Sequence, residues 1–322
     1  MKKLIITLFT MALMVMLAHT SWAADKYKLR LASVSGPSHL HNVTMKEWAE
    51  TVKKETDGRL DIRILDGAQL GGEREYIEGM RLGTIDMAQV STGPISSFVP
   101  PFMVCALPYV FQNYEQIAET LEGPLGQKLF ELLEQENIIG LTWFTNGFRS
   151  VFNSKRPINN PADLKGLKIR VMESPLMVGT LNAMGASATP MAYGELYTAL
   201  QQGVMDGAEN APGNVLNDKF YEVAKYFSVT EHFAPPGVVA ISNAAYSKLP
   251  EDLQTYLKKS AKELGKMERA ADKEAQVKFL DDLKAKGVDV NTVDKAAFTE
   301  AVKPVIEQFS EEIGPEVMAL LK

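Results

Sequence analysis

From Pro250 to Lys286 the chain is almost unbroken helix former, rich in Lys, Glu, Ala and Leu. A single helix over that tract is about 55 Å long at 1.5 Å per residue. Such a helix outruns one small lobe, so it is expected to bridge two, with Gly265 as the point where it would bend.

The rest of the chain supplies two α/β units. "KYKLRLAS" (26–33) and "RLDIRILD" (59–66) alternate polar and apolar residues as strands do, with an amphipathic helix from His39 to Thr56 between them. "GGEREYIEGMRLG" (71–83) reads as a helix bounded by glycines, and "IDMAQVS" (85–91) as a buried strand. Strand, helix, strand, helix, strand within about 65 residues predicts βαβ units on a largely parallel sheet. A Pro-rich stretch, 94–108, interrupts the pattern; helices near 114–122 and 125–136 and strands at 138–144 and 149–154 follow. A second alternation runs through the strand "LKIRVM" (167–172), a helix with Pro175 at its start and Gly185 at its end, an extended piece at 187–191 and a helix closed by Gly203.

The first residues read as a targeting segment. Lys2 and Lys3 precede an apolar run from Leu4 to Ala18, and Ser21-Trp22-Ala23 places small residues where a signal peptidase cuts. Residues 1–23 are therefore expected to be a cleaved signal peptide, leaving a periplasmic protein of 299 residues with no further membrane insertion. Without Lys2 and Lys3 the formal charge falls from −6 to −8. A dispersed acidic balance argues against nucleic acid and anionic membrane surfaces as partners. The single cysteine, Cys105, lies in the apolar "PFMVCALPYVF" and reads as a buried thiol, which leaves no disulfide and no thiolate metal cluster.

Catalytic and metal signatures are missing from the sequence. His39, His41 and His232 form no paired ligand set, and neither a nucleophile elbow nor a phosphate-binding glycine loop occurs. No cofactor and no metal is expected. In "GVMDGAEN" (203–210), Asp206 and Glu209 have no nucleophile beside them, and an Asp shortly after a helix-ending glycine usually caps or turns the chain. In "SHLH" (38–41), one histidine is expected at a pocket edge, with a helix N-cap as the equal alternative.

Two arginines stand out. Arg170 sits inside the apolar strand "LKIRVM", and a strand buried on both faces rarely hosts a cation without an anionic partner. At the carboxyl end of a strand in an open α/β sheet it would face the ligand crevice. There a guanidinium offers parallel N–H donors to a carboxylate. Arg149 opens the strand "RSVFN".

"DLKGLKIRV" (163–171), "ELYTALQQGVMDGAEN" (195–210), "KFYEVAKY" (219–226), "LPYVF" (107–111) and "QLGGEREYIEGMRLGTIDMA" (69–88) together resemble the solute-binding proteins of TRAP transporters, the DctP family. The resemblance runs from about residue 27 to 310 in one order. It implies an α/β protein of two lobes around a ligand cleft, with a long C-terminal helix spanning both. It also implies a small organic acid as ligand and the membrane subunits of a sodium-driven permease as partner. Lobe I is expected to comprise 24–148 plus 236–275, and lobe II 149–235 plus 276–322.

By the resemblance, Arg170 matches the arginine that forms the salt bridge to the ligand carboxylate. Arg149 matches a second arginine at the same end, and Asn210 an amide that bonds the carboxylate region. "GVMDGAEN" is then a pocket floor, with Asp206 and Glu209 structural and Gly207 letting the backbone turn. The opposite wall is expected to set specificity through Glu73, Ser91, Thr92 and His39, with Tyr193 and Ser174 beside the ligand. Glu73 has a second reading, as a complement to a helix dipole, and Tyr193 a second reading as core. A wall with hydroxyls and a carboxylate acceptor suits a sugar acid such as a uronate. A C4-dicarboxylate, a hydroxy or keto acid, an extracytoplasmic sensor role and a secreted enzyme are the alternatives.

Overall fold

Two sheets, each fed by distant parts of the chain, organise the computed structural model, which describes residues 25–321. The expected signal peptide, 1–23, lies outside the described residues. The first sheet contains β1 (Tyr27–Ala32), β2 (Leu60–Leu65), β3 (Met87–Ser91), β4 (Ile138–Phe144) and β10 (Gly237–Ser242), in the order β2-β1-β3-β10-β4. The second contains β5 (Arg149–Asn153), β6 (Lys168–Val171), β7 (Ser187–Pro190), β8 (Gly207–Asn210), β9 (Tyr226–Phe233) and β11 (Asp289–Thr292), in the order β11-β9-β5-β8-β6-β7. Each sheet is the centre of one lobe.

The expectation of largely parallel sheets needs correction, because both are mixed. β1 pairs parallel with β2 and β3, but β10 runs antiparallel between β3 and β4. β6 pairs parallel with β7 and β8, but β5 runs antiparallel between β8 and β9. The antiparallel members are the strands next to the crossings. The chain leaves the first sheet after β4 for β5, and returns from β9 to β10. A strand entering from the neighbouring lobe comes from the opposite end to one delivered by a βαβ helix.

Seven helices among the described residues serve as landmarks of the two lobes. They are α1 (Leu40–Glu55), α2 (Glu73–Leu82), α3 (Pro124–Glu134), α4 (Pro175–Ala183), α5 (Pro212–Asn217), α6 (Glu251–Ala285) and α7 (Lys295–Ile313). α1 begins where the His39 side chain accepts the His41 N–H. α2 begins where the Glu75 carboxylate accepts the Gly72 N–H at 2.8 Å, and ends at Gly83, whose φ of 72° closes the helix.

The long helix is continuous over 35 residues. Leu253, Leu257, Ala261 and Leu264 bury one stripe against the first lobe, and Leu283 joins the core of the second. α6 runs through Gly265 uninterrupted. A β-carbon at Gly265 would stand 2.1 Å from Thr142 Oγ1, so that glycine lets the helix lie directly on β4.

At the crossing between lobes, Thr145 donates its N–H to Glu268 Oε2 (2.9 Å) and its hydroxyl to Asp272 Oδ2 (3.0 Å). His41 Nε2 faces Thr145 O at 2.9 Å and Glu268 Oε1 at 3.3 Å. All four side chains are buried. Burial opposes a charge on His41, yet Glu268 overrides it and the pKa is raised; burial, reinforced by Glu268, lifts Asp272 to about 6. No helix among the described residues is long and apolar enough to cross a membrane.

Candidate functional site

A cavity of about 30 Å³, room for about two waters, lies between the lobes. The first lobe contributes Ser35, His39, Glu73, Gln89 and Ser91, and the second Arg149, Arg170, Tyr193, Asn210 and Asn214, with Asn146 at the crossing.

Arg170 is 2% exposed on β6. Its Nε and Nη2 donate to Met191 O at 2.8 and 2.6 Å, and its buried Nη1 has no partner in the protein. The guanidinium lies over the Tyr193 ring, 5.8 Å from the centroid. Burial pushes its pKa down to about 10, with the nearby positive charge of Arg149 adding to the effect against the pull of Glu209. It remains a cation at neutral pH.

Arg149 has a different environment. Nε and Nη2 grip the Glu209 carboxylate at 2.6 and 2.9 Å, Nη2 also reaches Glu209 O, and Nη1 donates to Asn210 Oδ1 at 2.6 Å. Both partners of the ion pair are buried. Arg149 lines the cavity as expected of a residue at the carboxylate end, but its charge is already balanced by Glu209. What Arg149 presents to the cavity is a polar edge.

Asn210 completes this wall. Its Oδ1 accepts from Arg149 Nη1, from the Ala211 N–H at 2.9 Å and from Asn214 Nδ2 at 2.7 Å. Its buried Nδ2 has no partner in the protein. The wall thus holds two buried donors unused by the fold, Arg170 Nη1 and Asn210 Nδ2. A buried polar group without a partner costs about 1–3 kcal/mol, so a ligand acceptor is the natural complement.

The stretch that carries Asn210 is a strand. All four residues of β8 are buried in the middle of the second sheet. The Gly207 expectation needs correction too. No left-handed backbone occurs there, but a β-carbon would come within 2.3 Å of Phe152 O on β5, so the glycine permits close strand approach. Asp206 accepts the Lys168 N–H at 2.9 Å and caps the neighbouring strand.

On the facing wall Glu73 is buried, and its Oε1 accepts the Ser91 N–H at 2.6 Å. Burial raises its pKa against the effect of Ser91, Arg170 and Arg149. Tyr193 donates its hydroxyl to Asp218 Oδ2 at 2.5 Å and so offers the cavity its ring. Burial first, then Asp218, raises its pKa. His39 Nε2 lies 2.8 Å from Asn214 Oδ1 across the lobe boundary, and burial, then His41, pushes its pKa down to about 3.

Two expected residues stand elsewhere. Thr92 is absent from the cavity lining: it is buried in the short helix after β3, its N–H donates to Pro236 O, and its hydroxyl has no partner in the protein. Ser174 accepts from the Ser96 hydroxyl at 3.1 Å, where the lobes touch outside the cavity. Asn214, Gln89, Ser35 and Asn146 were not expected. Gln89 carries a signal, an amide inside a buried strand; Asn214, in "PGN", looks like any turn residue. Among the described residues no group of three or more His, Cys, Asp or Glu is placed to hold a metal ion.

A family model described as bacterial extracellular solute-binding protein, family 7 (DctP), matches residues 31–312. The 2,3-diketo-L-gulonate-binding periplasmic protein YiaO of Escherichia coli is 32% identical, over 91% of this chain and 90% of its own. A TRAP periplasmic solute-binding protein from Sulfitobacter sp. NAS-14.1, solved with bound β-D-galacturonate, is 34% identical, with a TM-score of 0.87 over 91% of this chain and 98% of that one. One from Chromohalobacter salexigens, solved with bound D-glucuronate, is 34% identical, with a TM-score of 0.87 over 91% and 97%.

Proposed function

The chain belongs to the DctP family, family 7 of the bacterial extracellular solute-binding proteins, and from that premise we propose that it captures a sugar acid, best a hexuronate, for a TRAP transporter. The observation that carries this reading is the pair of buried unused donors, Arg170 Nη1 and Asn210 Nδ2, on one wall of the cleft. A carboxylate accepts from both, and a charge-assisted bond contributes about 1.5–3 kcal/mol.

The charge balance favours one carboxylate over two. Arg149 is neutralised by Glu209, which leaves Arg170 as the arginine without a carboxylate partner in the lining. A C4-dicarboxylate would bury its second charge uncompensated, at a cost of several kcal/mol. The facing wall offers Glu73, Gln89, Ser35 and Asn146 instead, groups that pair with hydroxyls. The galacturonate and glucuronate bound by the relatives support the same class.

In this reading the lobes, 24–148 plus 236–275 and 149–235 plus 276–322, open to admit the acid and close on it. The protein is exported by cleavage of 1–23 and works in the periplasm, where it hands the acid to the permease subunits. Binding and release are its whole activity; it performs no chemistry on the ligand.

The test is a thermal-shift screen of refolded protein against uronates, aldonates, C4-dicarboxylates, keto acids, hydroxy acids and neutral sugars. Ligand at a hundred times its Kd adds about 2.7 kcal/mol. Shifts confined to uronates and aldonates are expected. Shifts with dicarboxylates alone, or with neutral sugars alone, overturn the assignment.

A further inference from the structure

Hydrogen-bond directions around Asn214 admit one solution. Arg149 Nη1 and the Ala211 N–H can only donate, so the Asn210 atom facing them is Oδ1. The Asn214 atom 2.7 Å from that oxygen is then Nδ2, and its own Oδ1 is left for His39 Nε2 at 2.8 Å. An oxygen there requires a proton on Nε2. The other end agrees independently: His39 Nδ1 accepts the His41 N–H at 3.2 Å, so in the neutral ring Nδ1 carries no proton and Nε2 does.

The relay runs from the start of α1 in the first lobe, through His39, across the cleft to Asn214 on α5, and on to Asn210. The His39–Asn214 bond joins a residue of the first lobe to one of the second. Asn210 presents its remaining donor, Nδ2, to the cavity.

We propose that His39 and Asn214 are positioning residues that clasp the two lobes together through the amide that meets the ligand, and so set how long a bound acid stays. This rests on the carboxylate-capture reading above. His39 acts through Asn214 rather than by its own contact with the ligand. Because the clasp ties the two walls of the cleft together with or without the acid, its loss speeds release more than it slows capture.

Two substitutions separate the clasp from the helix cap. Asn at 39 caps a helix well but is too short to reach Asn214. Gln at 39 extends its amide to the position of Nε2 and restores a donor. The experiment measures association and dissociation rates of D-glucuronate and D-galacturonate by stopped-flow fluorescence. His39→Asn is expected to keep the melting temperature of the ligand-free protein and to release ligand about three- to tenfold faster, the effect of one net hydrogen bond. His39→Gln is expected to restore slow release. Asn214→Ala should match His39→Asn, and the double variant should be no worse than either. Additive losses, or a fall in capture rate alone, would mean that His39 touches the ligand directly and would overturn the clasp. A second readout needs no ligand: the His39 ring nitrogens by NMR in the refolded protein. The expected form is protonated at Nε2, with a resonance that moves in Asn214→Ala. Protonation at Nδ1, or an unmoved resonance, refutes the relay even if every uronate fails to bind and the ligand assignment falls with it.

Discussion

Replacing Arg170 with Met keeps most of the side-chain stem and removes the guanidinium. In the ligand-free protein two effects oppose each other. The pKa of Arg170, pushed from 12.5 down to about 10, means that the charged form sits about 3 kcal/mol above its solvated reference, a cost that Met abolishes. Against this, Met191 O loses both of its donors, worth about 1–3 kcal/mol. The sum is close to zero, so the ligand-free melting temperature should barely move. Ligand binding has no such compensation. The acid's carboxylate would be buried opposite Asn210 Nδ2 with no cation, and removing one partner of a buried ion pair costs about 3–5 kcal/mol. At about 1.4 kcal/mol per factor of ten, Kd for a uronate rises by about two to three and a half orders of magnitude. Isothermal titration and thermal unfolding of the same refolded preparation measure both quantities. Arg170→Met binding within threefold of the parent, or unfolding far below it without ligand, would show that the arginine serves the fold.

Glu209→Gln should act in the opposite sense, leaving Arg149 buried without a counter-charge and destabilising the ligand-free protein by about 3–5 kcal/mol in denaturant titration. A loss below 1 kcal/mol would mean that the pair is not structural. Glu73→Gln should change the ranking among uronates and aldonates more than it weakens them all; an equal loss across the panel speaks against a role in specificity. Asp272 has a pKa raised above its unfolded value, so the folded state binds its proton more readily, and its contribution is present below about pH 4 and lost as pH rises through about 6. His41, also raised, weakens the fold further as pH climbs past its own folded pKa. Stability should therefore fall from pH 4 to 6 by up to about 3 kcal/mol on account of Asp272, and Asp272→Asn should flatten that part of the profile; an unchanged slope refutes the assignment.

Arg170 was legible because a cation inside an apolar strand breaks the local pattern, and that break is visible without any partner. The long helix was legible from composition alone. Arg149 was half legible: its position showed, but the carboxylate that neutralises it is 60 positions away and pairs through sheet register rather than through any local motif. β8 was missed because "GAEN" lacks the β-branched residues that mark strands, and the sheet around it imposes the extended form. Thr92 and Ser174 lie one residue beyond β3 and just past β6, where the strand alternation that assigns a side chain to one face no longer holds. Asn214 matters only through a residue on the opposite lobe, and its neighbours in sequence say nothing of His39.

The place of β10 governs how the chain can acquire this structure as it emerges, residue by residue. Residues 237–242 fill the gap between β3 and β4, so until they emerge β4 has no neighbour in its sheet and β3 has one bare edge. By then the strands from β5 to β9 have all been made. The amino-terminal lobe therefore cannot mature first and wait. A chain cut near residue 235 would carry exposed strand edges of the kind that recruit other chains, and the lobe that starts the sequence is among the last parts to be finished.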